Sequence, residues 1–184
     1  MSSGYLPISA TIISSPIFKA LVSESDKIGL FAHGFTHSGH PVAAAVAVET
    51  LKIYEERAIL EHVRAVAPHF QDRLRALGDH PLVGEARGVG LLGALELVRD
   101  KTSKEPFDSV LGVGGLAFEL ARDEGLILRA IGDSLAICPP LIINDNEIDE
   151  LFDRLSRALD RTLTELRRPK TRVRAPEHVP LPQV

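Results

Sequence analysis

The chain is 184 residues long, 45% hydrophobic and 25% charged, with a formal net charge of -4 at pH 7. That length holds one or two domains with a substantial core, and the composition excludes wholesale disorder. The acidic balance, the lack of any apolar run near the roughly 18 residues of a membrane span, and the lack of a basic region before the first apolar stretch point away from nucleic acid, membrane and signal peptide. A single cysteine, Cys138, excludes an internal disulfide and fits the reducing cytoplasm.

In chain order, MSSGYLPISATIIS is apolar at Leu6, Ile8, Ala10, Ile12 and Ile13, which predicts a buried strand over residues 5–15, closed by Ser14, Ser15 and Pro16. A short helix is expected at 16–24. FAHGFTHSGHP follows as a loop, because Gly34, Gly39 and Pro41 interrupt regular structure. Pro41 suits a first helical turn, and VAAAVAVETLKIYEE continues it with alanines on every side, the pattern of a helix packed all round. A helix over 57–77 has Ile59, Leu60, Val63, Val66, Phe70, Leu74 and Leu77 at helical spacing, a kink expected at Pro68 and a stop at Gly78.

VGEARGVGLLGALELV reads as a glycine-rich turn running into a strand, and 100–109 as a polar loop. A helix over 110–124 ends at Gly125. Two short strands, 126–129 and 135–138, flank a Gly132-Asp133 turn. The last helix begins near Asn144 or Asp145 with the stripe Ile148, Leu151, Phe152, Leu155, Leu159, Leu163 and Leu166. A tail with scattered prolines and charge follows from 168. The N-terminal strand has no sheet of its own to join, so something that pairs with it is expected outside this chain.

Several motifs carry possible chemistry. GVGLLG at 88–93 matches a dinucleotide fingerprint in letters, but that motif must follow a strand and open a helix, whereas Ala94–Val98 alternates like a strand. A tight glycine turn is the better reading. His33, His37 and His40 have a metal-like spacing only on a helix, and theirs is a loop without carboxylate or thiolate, so no metal site is predicted. RRPKTRVR at 167–174 lacks the aromatics of a nucleic-acid surface and reads as solvated tail. Cys138, inside an apolar stretch, reads as core. The loop FAHGFTHSGHP offers amides freed by glycines and the hydroxyls of Thr36 and Ser38; these either cradle a phosphate or cap the helix at Pro41, and chemistry alone leaves both open. Arg129, at a strand end beside a turn, either clamps a carboxylate or faces water, and chemistry alone favours water.

FAHGFTHSGHPVAAAVAVETL, the Arg87-Gly88-Val89-Gly90-Leu91 turn, LILRAIGD, and CPPLIIN followed by an acidic helix resemble, in this order, the class III or omega aminotransferases, which use pyridoxal 5′-phosphate. The resemblance runs from residue 2 to about 167. It implies an α/β, fold type I architecture: residues 1–56 as the last piece of the large cofactor domain, 57–167 as the small C-terminal α+β domain, and 168–184 as a flexible tail. It implies a homodimer in which Thr36 and the Phe35 N–H hold the cofactor phosphate of the neighbouring subunit, and in which Arg129 grips a substrate carboxylate. His37 stands where members commonly carry tyrosine, while the threonine is retained.

In the family the catalytic lysine precedes the SSGYLPISA segment. It is expected just upstream of Met1, so no catalytic residue is assigned in this chain; Lys19, Lys27, Lys52, Lys101, Lys104 and Lys170 stand in other contexts. The implied activity is amino transfer between an amine or omega-amino acid and a keto acid such as pyruvate, as part of a fuller chain. The alternatives are a non-catalytic module that associates with a full-length aminotransferase and a small ligand-binding domain outside the family.

Overall fold

Proline opens both helices of the N-terminal part. The computed structural model describes residues 1–31 and 33–168 and divides them into two compact units, one of Met1–Leu60 and one that begins at Glu61. In the first unit, Pro16 lies in the first turn of α1 (Ser15–Ile28) and Pro41 is the first residue of α2 (Pro41–Glu56). Proline loses nothing there, since the first N–H groups of a helix have no partner in any case. Gly29, at φ +96°, ends α1.

Two expectations for this unit are corrected. Residues 5–15 form no strand: 3–6 make a turn and a bend, 7–14 carry no ladder, and Ile12 is 96% exposed. Local β-propensity favours extended backbone, but a strand is completed only by a hydrogen-bonded neighbour. The one sheet among the described residues lies in the second unit. Helix α2, in turn, is not packed all round. Ala43 and Ala47 are buried, while Val42, Val48 and Leu51 are each more than half exposed. Alanine favours helix wherever it sits, so its abundance marked the helix and not its burial.

The second unit is a four-stranded antiparallel sheet in the order β1-β2-β4-β3, with helices on one face. Helix α3 (Ile59–Ala76) continues through Pro68, and instead of stopping on a left-handed Gly78 it tightens into a 3-10 turn at Leu77–Asp79. The segment expected to be a turn before a strand is a complete hairpin, β1 (Val83–Val89) with β2 (Leu92–Leu97). Gly90, at φ +58°, makes its turn. Gly88 must lack a side chain, because a Cβ there lies 2.4 Å from the Leu92 carbonyl oxygen.

Helix α4 (Val113–Asp123) ends before Gly125, and β3 (Arg129–Ile131) turns through Gly132-Asp133 into β4 (Ser134–Ile137). Helix α5 (Asp145–Arg167) starts at the expected place, behind a capping box: Asn144 Oδ1 accepts the Glu147 N–H at 3.0 Å, and Glu147 Oε2 accepts the Asn144 N–H at 2.9 Å.

The strands alternate, so Leu95, Leu135 and Ile137 face the helices. They meet Phe70 and Leu74 of α3, Val113 and Ala117 of α4, and Ile148, Phe152, Leu155 and Leu159 of α5. Phe70 and Phe152 join α3 to α5 edge-to-face, with ring centroids 5.1 Å apart. The opposite face of the sheet stays open: Val89, Leu92 and Ile131 are each more than half exposed.

Candidate functional site

Between α1 and α2 the chain turns over Thr36–Gly39, with Gly39 at φ +70°. The Ser38 N–H donates to the Phe35 carbonyl oxygen at 2.9 Å, and the Phe35 N–H donates back to Ser38 Oγ at 2.9 Å. Ser38 thus ties the loop to itself. Helix α2 has no side-chain cap, so the capping alternative for these hydroxyls is not realised. Among the described residues nothing bonds the Thr36 hydroxyl or the amides of Thr36, His37 and Gly39. Phe35 is 77% exposed and Thr36 is exposed beside it. Sequence reasoning named Phe35 and Thr36 but missed the Ser38 bond, which only backbone geometry reveals.

Arg129 belongs to the other unit. It opens β3 instead of ending a strand, and its side chain lies on the open face of the sheet. The register makes this explicit: Arg129 pairs with Ala136, Ala136 with Ala94, and Ala94 with Arg87, a row of four residues across the sheet. The arginines at its two ends differ. Arg87 lies 3.3 Å from Glu96 Oε2 and 3.8 Å from Glu85 Oε1. Arg129 is exposed and carries no ion pair among the described residues.

The remaining motifs resolve locally. GVGLLG straddles the β1–β2 turn and opens no helix, so the geometry that holds a pyrophosphate at a helix N-terminus is not built here. His33 stacks with Phe31 and meets Phe35 edge-on, at 5.8 and 5.5 Å between ring centroids. Cys138 corrects the expectation of a core thiol. It is exposed at the end of β4, because alternation puts Ile137 inward and its neighbour outward. The tail, and the basic run beyond Arg168, lie outside the described residues. No described helix is long and apolar enough to cross a membrane.

A family model described as aminotransferase class-III matches residues 1–159. The chain belongs to the class-III aminotransferases. This excludes the reading as an unrelated ligand-binding domain. The chain is 48% identical over 163 residues to the putrescine–pyruvate aminotransferase of Pseudomonas aeruginosa, covering 88% of this chain and 35% of that protein. To the probable gamma-aminobutyrate transaminase 3, mitochondrial, of Oryza sativa subsp. indica it is 44% identical over 162 residues, covering 88% and 32%. This class-III chain therefore spans about a third of the length of the curated relatives it matches. Among solved structures it resembles a transaminase with L-Ala, at TM-score 0.82 and 48% identity over 90% of this chain and 39% of that one. It also resembles the PMP-bound aminotransferase of Vibrio fluvialis, at TM-score 0.82 and 40% identity over 89% and 36%. The mixed α/β fold with its antiparallel sheet is thus that of a piece of a pyridoxal-phosphate-dependent transaminase.

Proposed function

We propose that this class-III chain works as part of a fuller aminotransferase, which moves an amino group between an amine or omega-amino acid and a keto acid such as pyruvate in the cytoplasm. Residues 1–56 are then the end of the cofactor domain and 57–167 the small domain. The observation that carries the reading is the Thr36 hydroxyl, without a partner among the described residues, beside unbonded amides in a glycine-bounded turn. Such a turn fits the phosphate of pyridoxal 5′-phosphate, since a doubly charged group with several acceptor oxygens needs donors that nothing else occupies. Thr36 donates its hydroxyl proton to a phosphate oxygen of the neighbouring subunit's cofactor in a homodimer. Phe35 adds its N–H once Ser38 releases it. When bound, the cofactor's ring supplies the electron sink for amino-group exchange. Arg129 binds the substrate carboxylate through its planar guanidinium.

Alone, the chain is inactive in this reading. Its described lysines are surface groups in other contexts. Lys27 lies 2.7 Å from Glu24, Lys52 lies 3.5 Å from Glu49, and Lys104 lies 3.9 Å from Glu85. Lys101 donates to the Gly78 and His80 carbonyl oxygens, and Lys19 is exposed on α1. Lys170 is outside the described residues.

The test is to incubate the purified chain with pyridoxal phosphate, reduce with borohydride and map modified lysines by mass spectrometry, alongside an amine–pyruvate assay. No stoichiometrically modified lysine and no turnover is the expected result; one specific adduct with turnover overturns the claim of dependence on a fuller chain. Within the fuller enzyme, Thr36→Val weakens cofactor binding about ten- to a hundredfold, the worth of one hydrogen bond to a charged acceptor, and Thr36→Ser largely restores it. Fluorescence titration measures both.

A further inference from the structure

We infer that Ala136 is a specificity-determining residue: as the cross-strand neighbour of Arg129, it leaves that guanidinium unclamped and so available to a substrate carboxylate. The inference rests on the proposed role of Arg129. It comes from the register of the open sheet face. Arg129 on β3 lies directly opposite Ala136 on β4, which lies opposite Ala94 on β2. A side chain directly opposite is the one that holds or blocks an exposed strand residue. Here it is a methyl group, and the next side chain in the row, Ala94, is also a methyl, two strand spacings or about 10 Å from Arg129.

The acids near that row are engaged elsewhere. Glu96 Oε2 accepts from Ser134 Oγ at 2.5 Å and from Arg87 at 3.3 Å. Asp133 Oδ1 accepts the Gly114 N–H at 2.8 Å. Opposite Ser134, the neighbour on β3 is Ile131, which is apolar and 57% exposed. Among the described residues no acid pairs with Arg129, and Ala136, directly opposite, is the position where a competitor would sit.

Placing an acid there converts the row into a cross-strand ion pair. A pair of ordinary strength favours the clamped arginine over the released one by up to about fivefold, and raises KM for a carboxylate substrate by up to about sixfold. The experiment compares Ala136→Glu with Ala136→Gln, which has the same size and no charge, and with Arg129→Ala. In this chain, the 15N–1H heteronuclear NOE of Arg129 Nε–H reports clamping without any cofactor. In the fuller enzyme, KM and kcat are measured for pyruvate and for an amine that lacks a carboxylate.

The expected result is a higher Nε–H NOE and a three- to sixfold rise in KM for pyruvate in Ala136→Glu, with kcat and the amine KM within twofold, and at most half that rise in Ala136→Gln. Equal effects of Glu and Gln, or an unaltered NOE in Ala136→Glu, overturn the inference. Should Glu unfold the hairpin, Ala136→Asp against Ala136→Asn makes the same comparison. If Arg129→Ala leaves KM for pyruvate unaltered, the role of Arg129 itself fails, whereas a rise there without any effect of Ala136→Glu removes only the inference about Ala136.

Discussion

His80, directly after the 3-10 turn Leu77–Asp79, leaves 9% of its side chain exposed. Its Nδ1 accepts the Leu82 N–H at 3.2 Å, so the ring proton sits on Nε2, which faces Asp160 Oδ1 at 3.4 Å. Burial pushes the imidazole below its ordinary 6.5, the opposing pull of Asp160 is smaller, and Lys101 adds to the lowering. A second proton also has to enter at Nδ1, where it displaces the Leu82 bond. The folded protein therefore holds a neutral ring where the unfolded chain begins to protonate. Above 6.5 both states are neutral and His80 takes nothing from stability. As pH falls below 6.5 the unfolded chain gains the proton first, and stability declines until the folded value is passed. Urea unfolding followed at pH 7.5 and 5.5 is expected to show a lower midpoint at the acid end. His80→Asn, which keeps an acceptor for Leu82 and cannot titrate, removes part of that difference; an equal pH dependence in the variant counts against this account.

At the scale of elements, α4 is seated on the β3–β4 turn by a glycine. A Cβ on Gly114 lies 2.0 Å from the Gly132 carbonyl oxygen and 3.0 Å from Asp133 Cα, both backbone atoms that cannot swing aside. Gly114→Ala must lift the helix off the turn and break the Gly114–Asp133 hydrogen bond, a loss of about 2–4 kcal/mol. Gly115→Ala has nothing within 4 Å of its new methyl and gains about 0.5–1 kcal/mol of helix propensity. Two adjacent, identical substitutions thus have opposite signs, which thermal melts of both variants check directly. Sequence alone carried part of this architecture. Helices α3 and α5 were legible because their apolar residues recur at helical spacing over several turns. Strand β1 was not, since Gly84, Gly88 and Gly90 signal a turn and its strand character comes from pairing with β2. The same gap hid the Arg87–Ala94–Ala136–Arg129 row, because a row exists only once the register is known. Thr36 and Arg129 were singled out through resemblance, while the exposure of Cys138 and the Ser38–Phe35 bond required coordinates.

At the scale of the whole chain, the two units differ in what holds them. From Glu61 onward, the sheet and three helices bury a continuous core in which Phe70, Leu74, Leu95, Leu135, Ile148, Leu155 and Leu159 have no exposed surface. Burying side chains of this size contributes about 1.5–3 kcal/mol each, enough to make such a unit cooperative. Helix α1, by contrast, has no buried residue, and Ile17, Phe18, Ile28, Leu30 and Phe31 around it are all more than half exposed. A 14-residue helix is marginal in water without packing. Local opening of residues 1–40 therefore costs little, and a protease reaches their bonds without waiting for the core to unfold. Under limiting trypsin, cleavage after Lys19 and Lys27 is expected to precede any cleavage between Arg64 and Arg161 by at least tenfold in rate, the least that about 1.4 kcal/mol of difference in opening free energy gives. Peptide mass spectrometry against time reads the order of cuts. Survival of the Lys19 and Lys27 bonds for as long as those of the sheet unit, in a sample shown to be monomeric, contradicts the claim that α1 lacks close packing among the described residues.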